Sequence, residues 1–75
     1  MNKSEKRYKI TTIIEEKKDS FEENNLSFIF TKLNFIVWQN YRLFCDGKIS
    51  FRIWDKRRKR DIVYKKSNIV RNRIL

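Results

Sequence analysis

Residues 41–54 read Tyr-Arg-Leu-Phe-Cys-Asp-Gly-Lys-Ile-Ser-Phe-Arg-Ile-Trp, and the way Asp46-Gly47 is taken decides the fold. Asp-Gly between two runs rich in aromatic and β-branched residues is a strong local signal for a β-hairpin. A two-residue loop would pair Arg42 with Phe51 and Tyr41 with Arg52, which scrambles the two faces. A three-residue loop, Cys45-Asp46-Gly47, places Gly47 in the left-handed position of a bulge. It pairs Leu43 with Ile49, Tyr41 with Phe51 and Gln39 with Ile53 on an apolar face. The opposite face then pairs Phe44 with Lys48, Arg42 with Ser50, Asn40 with Arg52 and Trp38 with Trp54. That register separates apolar from basic and aromatic side chains, and it predicts a hairpin with a positive φ at Gly47.

Further out, residues 7–15 alternate, with Tyr8, Ile10, Thr12 and Ile14 on one face. Ile10, Ile13 and Ile14 also satisfy helical spacing, but the β-branched content favours a strand. Residues 16–25 are polar and read as a connection. Ser20 and Glu23 match a capping box for one helical turn over 21–24. From Leu26 the apolar residues are even-numbered (Leu26, Phe28, Phe30), then odd (Leu33, Phe35, Val37). A turn or bulge near Thr31-Lys32 would account for that change of parity. Residues 55–61 form a basic loop, residues 62–66 return as a strand, and residues 68–75 are a last strand or one helical turn. The expected fold is all-β, or β-rich with one short helical turn. It is a curled sheet or barrel of five to six strands in the size class of OB and SH3-like domains, in a single domain spanning residues 1–75.

Seventy-five residues allow only a marginal core, and such chains often lean on a disulfide, a metal or a partner. The single cysteine, Cys45, cannot close an internal disulfide. With no histidine there is no four-ligand zinc set either. No metal or cofactor is expected, which leaves a partner as the remaining stabiliser, or a small fold that stands unaided. The charge points to the nature of such a partner. Residues 1–41 carry seven basic and six acidic groups, while residues 42–75 carry twelve basic and three acidic. A polyanion is the natural counter-surface for the second half.

Conventional catalysis finds few tools. The commonest general base, histidine, is missing, and Cys45 has no histidine to activate it. The pairs Glu15-Glu16 and Glu22-Glu23 lie in polar surroundings rather than a recognisable cleft. The single glycine excludes a Gly-rich phosphate loop, and no small-molecule substrate is expected. The first residues, Met-Asn-Lys-Ser-Glu-Lys-Arg, lack the apolar core of a signal peptide. The apolar stretch 26–38 is interrupted by Lys32 and Asn34 and is shorter than the roughly 20 residues of a membrane span. The expectation is an intracellular chain without a membrane partner. Asn, Lys, Ile, Phe and Tyr supply 37 residues while Ala and Pro are absent. That composition suits an AT-rich genome, so an organelle interior is as compatible as a cytoplasm.

The expected function is non-enzymatic binding of nucleic acid, RNA rather than DNA, in a small ribonucleoprotein component such as one of an organellar ribosome. Lys56, Arg57, Arg58, Lys59 and Arg60 place five cations together, and phosphate contacts release counterions. Arg42, Lys48 and Arg52, interleaved with Trp38, Phe44 and Trp54 in the bulged register, would add stacking surfaces for unpaired bases. A core role for both tryptophans is the competing reading. The stretch Tyr41-Arg-Leu-Phe followed by Ile-Ser-Phe-Arg-Ile-Trp-Asp-Lys-Arg-Arg resembles the closing hairpin of RelE-type toxins. That likeness implies ribosome-dependent mRNA cleavage by basic and tyrosine side chains; it covers about a third of the chain, without the family's amphipathic helices. A further alternative is a phage- or mobile-element-encoded inhibitor that occupies an acidic protein surface of a nucleoprotein complex.

Overall fold

The computed structural model describes residues 5–70. Its centre is a four-stranded antiparallel sheet in the order β2-β1-β3-β4, an open sheet and not a barrel. Strand β1 (Tyr8–Ile14) turns directly into β2 (Lys17–Glu23). Glu15 and Glu16 have φ of 49° and 72°, the positive signs that a type I′ hairpin turn needs at both central positions. Residues 17–23 are therefore a strand and not part of a connection. Its charges hid it: Lys17, Lys18, Asp19, Glu22 and Glu23 suit an edge strand, and Phe21, opposite Ile10, packs on the core. The expected cap at Ser20 fails because both of its residues lie in β2.

The helix begins at the next polar residue instead. Asn25 caps α1 (Leu26–Gln39), its side chain accepting from the Ser27 amide at 2.8 Å. The parity change at Thr31-Lys32 is thus a helical period rather than a bulge. Ile29, Leu33 and Val37 recur at four-residue intervals and are fully buried, with Leu26, Phe30 and Ile36 packed beside them. The β-prone residues Phe28, Ile29, Thr31, Ile36 and Val37 are overruled by this single apolar stripe.

Asn40 breaks the helix, and α2 (Tyr41–Cys45) follows. There is no hairpin at Asp46-Gly47. Gly47 does have a positive φ, 74°, but it ends a helix: its amide donates to the Phe44 carbonyl at 3.1 Å and the Lys48 amide to Leu43 at 2.9 Å. This is the Schellman pattern of a helix C-terminus, which needs the same left-handed glycine as a bulged hairpin. Strand β3 (Ile49–Asp55) pairs with β1 rather than with residues 38–44. The pairs are Ile49 with Ile14, Phe51 with Thr12, Ile53 with Ile10 and Asp55 with Tyr8. Neither Leu43 with Ile49 nor Tyr41 with Phe51 is a pair.

A turn over residues 56–59 leads to β4 (Arg60–Asp61). Residues 62–65 are not a strand. They follow the edge of β3, where the Ile62 amide donates to the Ile53 carbonyl at 2.8 Å and the Tyr64 hydroxyl to the Phe51 carbonyl at 3.2 Å. Helix α3 (Lys66–Ile69) straddles the strand expected over 62–66 and the last element expected over 68–75; residues 71–75 lie outside the described part. Ile69 joins the core, and its carbonyl accepts from the buried Asn34 side chain at 2.8 Å. The core lies between the helices and the sheet face bearing Tyr8, Ile10 and Ile53. No helix among the described residues is long and apolar enough to cross a membrane.

Candidate nucleic-acid interface

Directly paired residues in an antiparallel sheet point to the same face, so the register maps the side the helices leave open. One row runs Glu22, Lys9, Trp54, Asp61; the next Ser20, Thr11, Arg52; the third Lys18, Ile13, Ser50. Lys9, Lys18, Ser20, Ser50 and Arg52 are exposed and Trp54 is half-buried. The hydrophobic cluster beneath the sheet is built without Trp54, which separates this indole from the core role. The Arg52 guanidinium lies 5.7 Å from the centre of the Trp54 ring, a cation–π distance.

Carboxylates hold the long cations in place. Arg52 Nε donates to Asp61 Oδ1 at 2.8 Å, and that hydrogen bond raises the guanidinium's pKa further. Lys56 Nζ lies 3.0 Å from Glu22 Oε2, across the sheet from its own turn. A shallow depression between these pairs is lined by Lys9, Thr11, Glu22, Arg52, Trp54 and Lys56. Exposed ion pairs add little stability, so their consequence here is orientation: they lay cationic side chains flat along the face.

The basic turn is built on Asp55, the last residue of β3 and only 1% exposed. Its Oδ1 accepts the amides of Arg57 at 3.0 Å and Arg58 at 3.2 Å, an Asx-type turn closure. Arg7 grips the same carboxylate with Nε and Nη2 at 3.2 and 3.1 Å. These Arg7 hydrogen bonds, helped by the two turn amides, hold the Asp55 carboxyl below its ordinary value against the opposing effect of desolvation. The turn's side chains are left outside: Arg57, Arg58, Lys59 and Arg60 are exposed.

The structure thus brings together Arg52, Trp54 and Lys56 on one surface with Arg57, Arg58 and Lys59 in the turn at its end, whereas Arg60 pairs with Asp55 and so points to the helix side of the sheet. It does not bring Trp38, Arg42, Phe44 or Lys48 there, because the hairpin that would have aligned them does not exist. Trp38 belongs to α1 and stacks on Tyr41 of α2, with ring centres 4.7 Å apart and planes 9° from parallel. Arg42 and Phe44 are on α2, and the Lys66 ammonium sits 5.5 Å from the Phe44 ring centre. Lys48 lies in the link to β3. Tyr41, expected in the core, is 44% exposed. Sequence reasoning missed Lys9, Lys18, Arg7 and Asp55. The alternation of residues 7–15 already put Lys9 opposite the apolar face, whereas Lys18 needed the recognition of β2.

Among the described residues no group of three or more acidic, Cys or His side chains could hold a metal. The segment resembling the RelE-type closing hairpin is helical at 41–45, so the likeness loses the element that carried it, even though α1 is an amphipathic helix that was not expected. No family model, curated protein or solved structure matches the chain.

Proposed function

We propose that this chain is a non-enzymatic nucleic-acid-binding module that holds its ligand on the open sheet face and the basic turn at its end. The observation that carries the reading is the sidedness of the fold. The three helices of the described residues pack on one side of the sheet, while Lys9, Lys18, Arg52, Lys56 and Trp54 share the other with the carboxylates of Glu22 and Asp61. Phosphate contacts from these cations and from Arg57, Arg58 and Lys59 supply affinity without reading sequence. Trp54, held under Arg52, offers a single stacking surface for an unpaired base, which favours RNA loops or single strands. Trp38 has no part in this surface.

The test is a titration of the labelled protein with a single-stranded RNA, followed by backbone and indole NMR shifts. Changes should concentrate at Lys9, Thr11, Arg52, Trp54 and residues 56–60, and spare the outer face of α1. Shifts confined to the helices, or none at low salt, would overturn the reading.

A further inference from the structure

Strand β2 is an outer edge of the sheet. It reads Lys17, Lys18, Asp19, Ser20, Phe21, Glu22, Glu23. The two-residue turn makes Ile14 and Lys17 the first hydrogen-bonded pair of the hairpin. Bonded pairs then alternate, so Lys17, Asp19, Phe21 and Glu23 turn their backbone groups toward β1. Lys18, Ser20 and Glu22 turn theirs outward, and no described residue hydrogen-bonds to those backbone groups. All three residues are exposed. Such a row of unpaired N–H and C=O groups is a template for one more strand.

We propose that the added strand is β2 of a second copy, running antiparallel about a two-fold axis at Ser20. The order of charges selects this occupant, with two cations at one end of the strand and two anions at the other. An isologous contact must be complementary to itself. With Ser20 opposite Ser20, Lys17 of each copy pairs with Glu23 of the other, and Lys18 with Glu22. Opposite charges paired directly across strands are stabilising, and like charges are destabilising. The neighbouring registers fail on that ground. A slip of two residues one way sets Asp19 against Asp19 and Glu16 against Glu22. The same slip the other way sets Asp19 against Glu23. A parallel pairing in register sets every charge against its own kind.

The anions keep capacity for a partner. Glu22 meets the Lys56 ammonium through Oε2 at 3.0 Å, and Glu23 Oε2 accepts from the Asn24 amide at 3.2 Å. Each carboxylate has a second oxygen to offer. Cations do gather at this end of the strand. Lys9 is paired with Glu22, and Lys6, Arg7, Lys56 and Arg57 line a depression with Glu5 and Asn24. The same register brings Glu16 of the second copy, exposed in its turn, opposite Asn24. The acidic turn of each copy thus faces the basic depression of the other. The net charge of +10 per chain opposes association at long range, but physiological salt screens exposed charges more than about 8 Å apart. Edge pairing needs no nucleic acid. It leaves Lys9, Arg52 and Trp54 of both copies on the same side of one continuous sheet, because directly paired residues share a face.

Sedimentation equilibrium of the full chain in moderate salt, without nucleic acid, tests this. The expected mass is that of a dimer, dissociating on dilution. Hydrogen exchange at the Lys18, Ser20 and Glu22 amides should be slow in the dimer and fast in the dilute monomer. Ser20→Pro removes an amide that points away from β1, and should give a monomer that is folded by circular dichroism. Lys17→Glu should weaken the dimer at least tenfold, and adding Glu23→Lys to it should restore most of that loss. A wild-type chain that stays monomeric at the highest concentration overturns the proposal, as does a dimer that a folded Ser20→Pro chain still forms. A wild-type dimer whose three outward amides exchange as fast as in the monomer overturns it too, whether or not Ser20→Pro folds. A charge reversal that the second change fails to rescue overturns the antiparallel register.

Discussion

The Arg7 guanidinium and the Asp55 carboxylate, 48 residues apart in sequence, meet through two hydrogen bonds at 3.2 and 3.1 Å. This contact ties the entry of β1 to the exit of β3 and leaves Asp55 Oδ1 to collect the amides of Arg57 and Arg58. A buried carboxylate so placed fixes a run of cations that would otherwise repel itself into an extended loop. Backbone amides form the contacts, so the side chains of the turn stay available to a ligand.

Acid should therefore loosen the turn. The folded-state pKa of Asp55 is depressed, so its contribution to stability is fully present above the unfolded value of about 4 and disappears as pH falls through the lower folded value. Thermal melts should be flat from neutral pH to about pH 5, then drop below about pH 4. Asp55→Asn should melt lower at neutral pH and show a shallower acid limb. Parallel wild-type and mutant curves would show that the Arg7 contact is not what depresses this carboxyl.

The β1–β2 turn stores strain. Glu15 and Glu16 both adopt positive φ, which costs roughly 1–2 kcal/mol for a residue with a side chain. Replacing them with Asn-Gly, the preferred pair for this turn, should raise the urea midpoint by an amount worth about 1–2 kcal/mol in total. An unchanged midpoint would mean the turn relaxes at no cost.

Leu33 and Trp54 separate the core from the open face. Leu33→Ala should cost about 2–5 kcal/mol of stability, since Leu33 is fully buried between Ile29 and Val37. Trp54→Ala should cost less than about 1 kcal/mol of stability while weakening RNA binding by about 1–3 kcal/mol. Melting curves beside binding titrations of both variants decide the matter. A large loss of stability for Trp54→Ala would return that indole to the core.

The strand at Tyr8–Ile14, the left-handed Gly47 and the basic turn are legible in the sequence because each has a short-range cause. The alternation of Ile10 and Thr12, the demand of a left-handed backbone for glycine, and the self-repulsion of adjacent cations all act within a few residues. What is not legible depends on distance. Gly47 serves a helix end and a hairpin equally, and the choice rests on β3 finding β1, which lies about 40 residues upstream. β2 carries one apolar inward residue, Phe21, and only its neighbour β1 makes it a strand. The helical period of Ile29, Leu33 and Val37 is visible in principle, but the surrounding phenylalanines and β-branched residues mask it. The site follows the same division. Arg52, Trp54 and Lys56 sit on one strand and its turn, so the sequence already groups them, whereas Trp38 joins their face only through a pairing that tertiary structure does not make.

Whether the basic turn grips phosphate is read most directly from the salt dependence of RNA binding. The dissociation constant of wild-type protein for a single-stranded RNA should rise steeply and log-linearly with salt. Changing Arg57, Arg58 and Lys59 to Ala together leaves the backbone amides that Asp55 holds, so the fold should survive by its melting curve. The slope should fall by roughly 0.7 for each phosphate left without its cation, about two units for the triple variant. A wild-type chain that does not bind at low salt, or a triple variant with the wild-type slope, would contradict a nucleic-acid role for this surface.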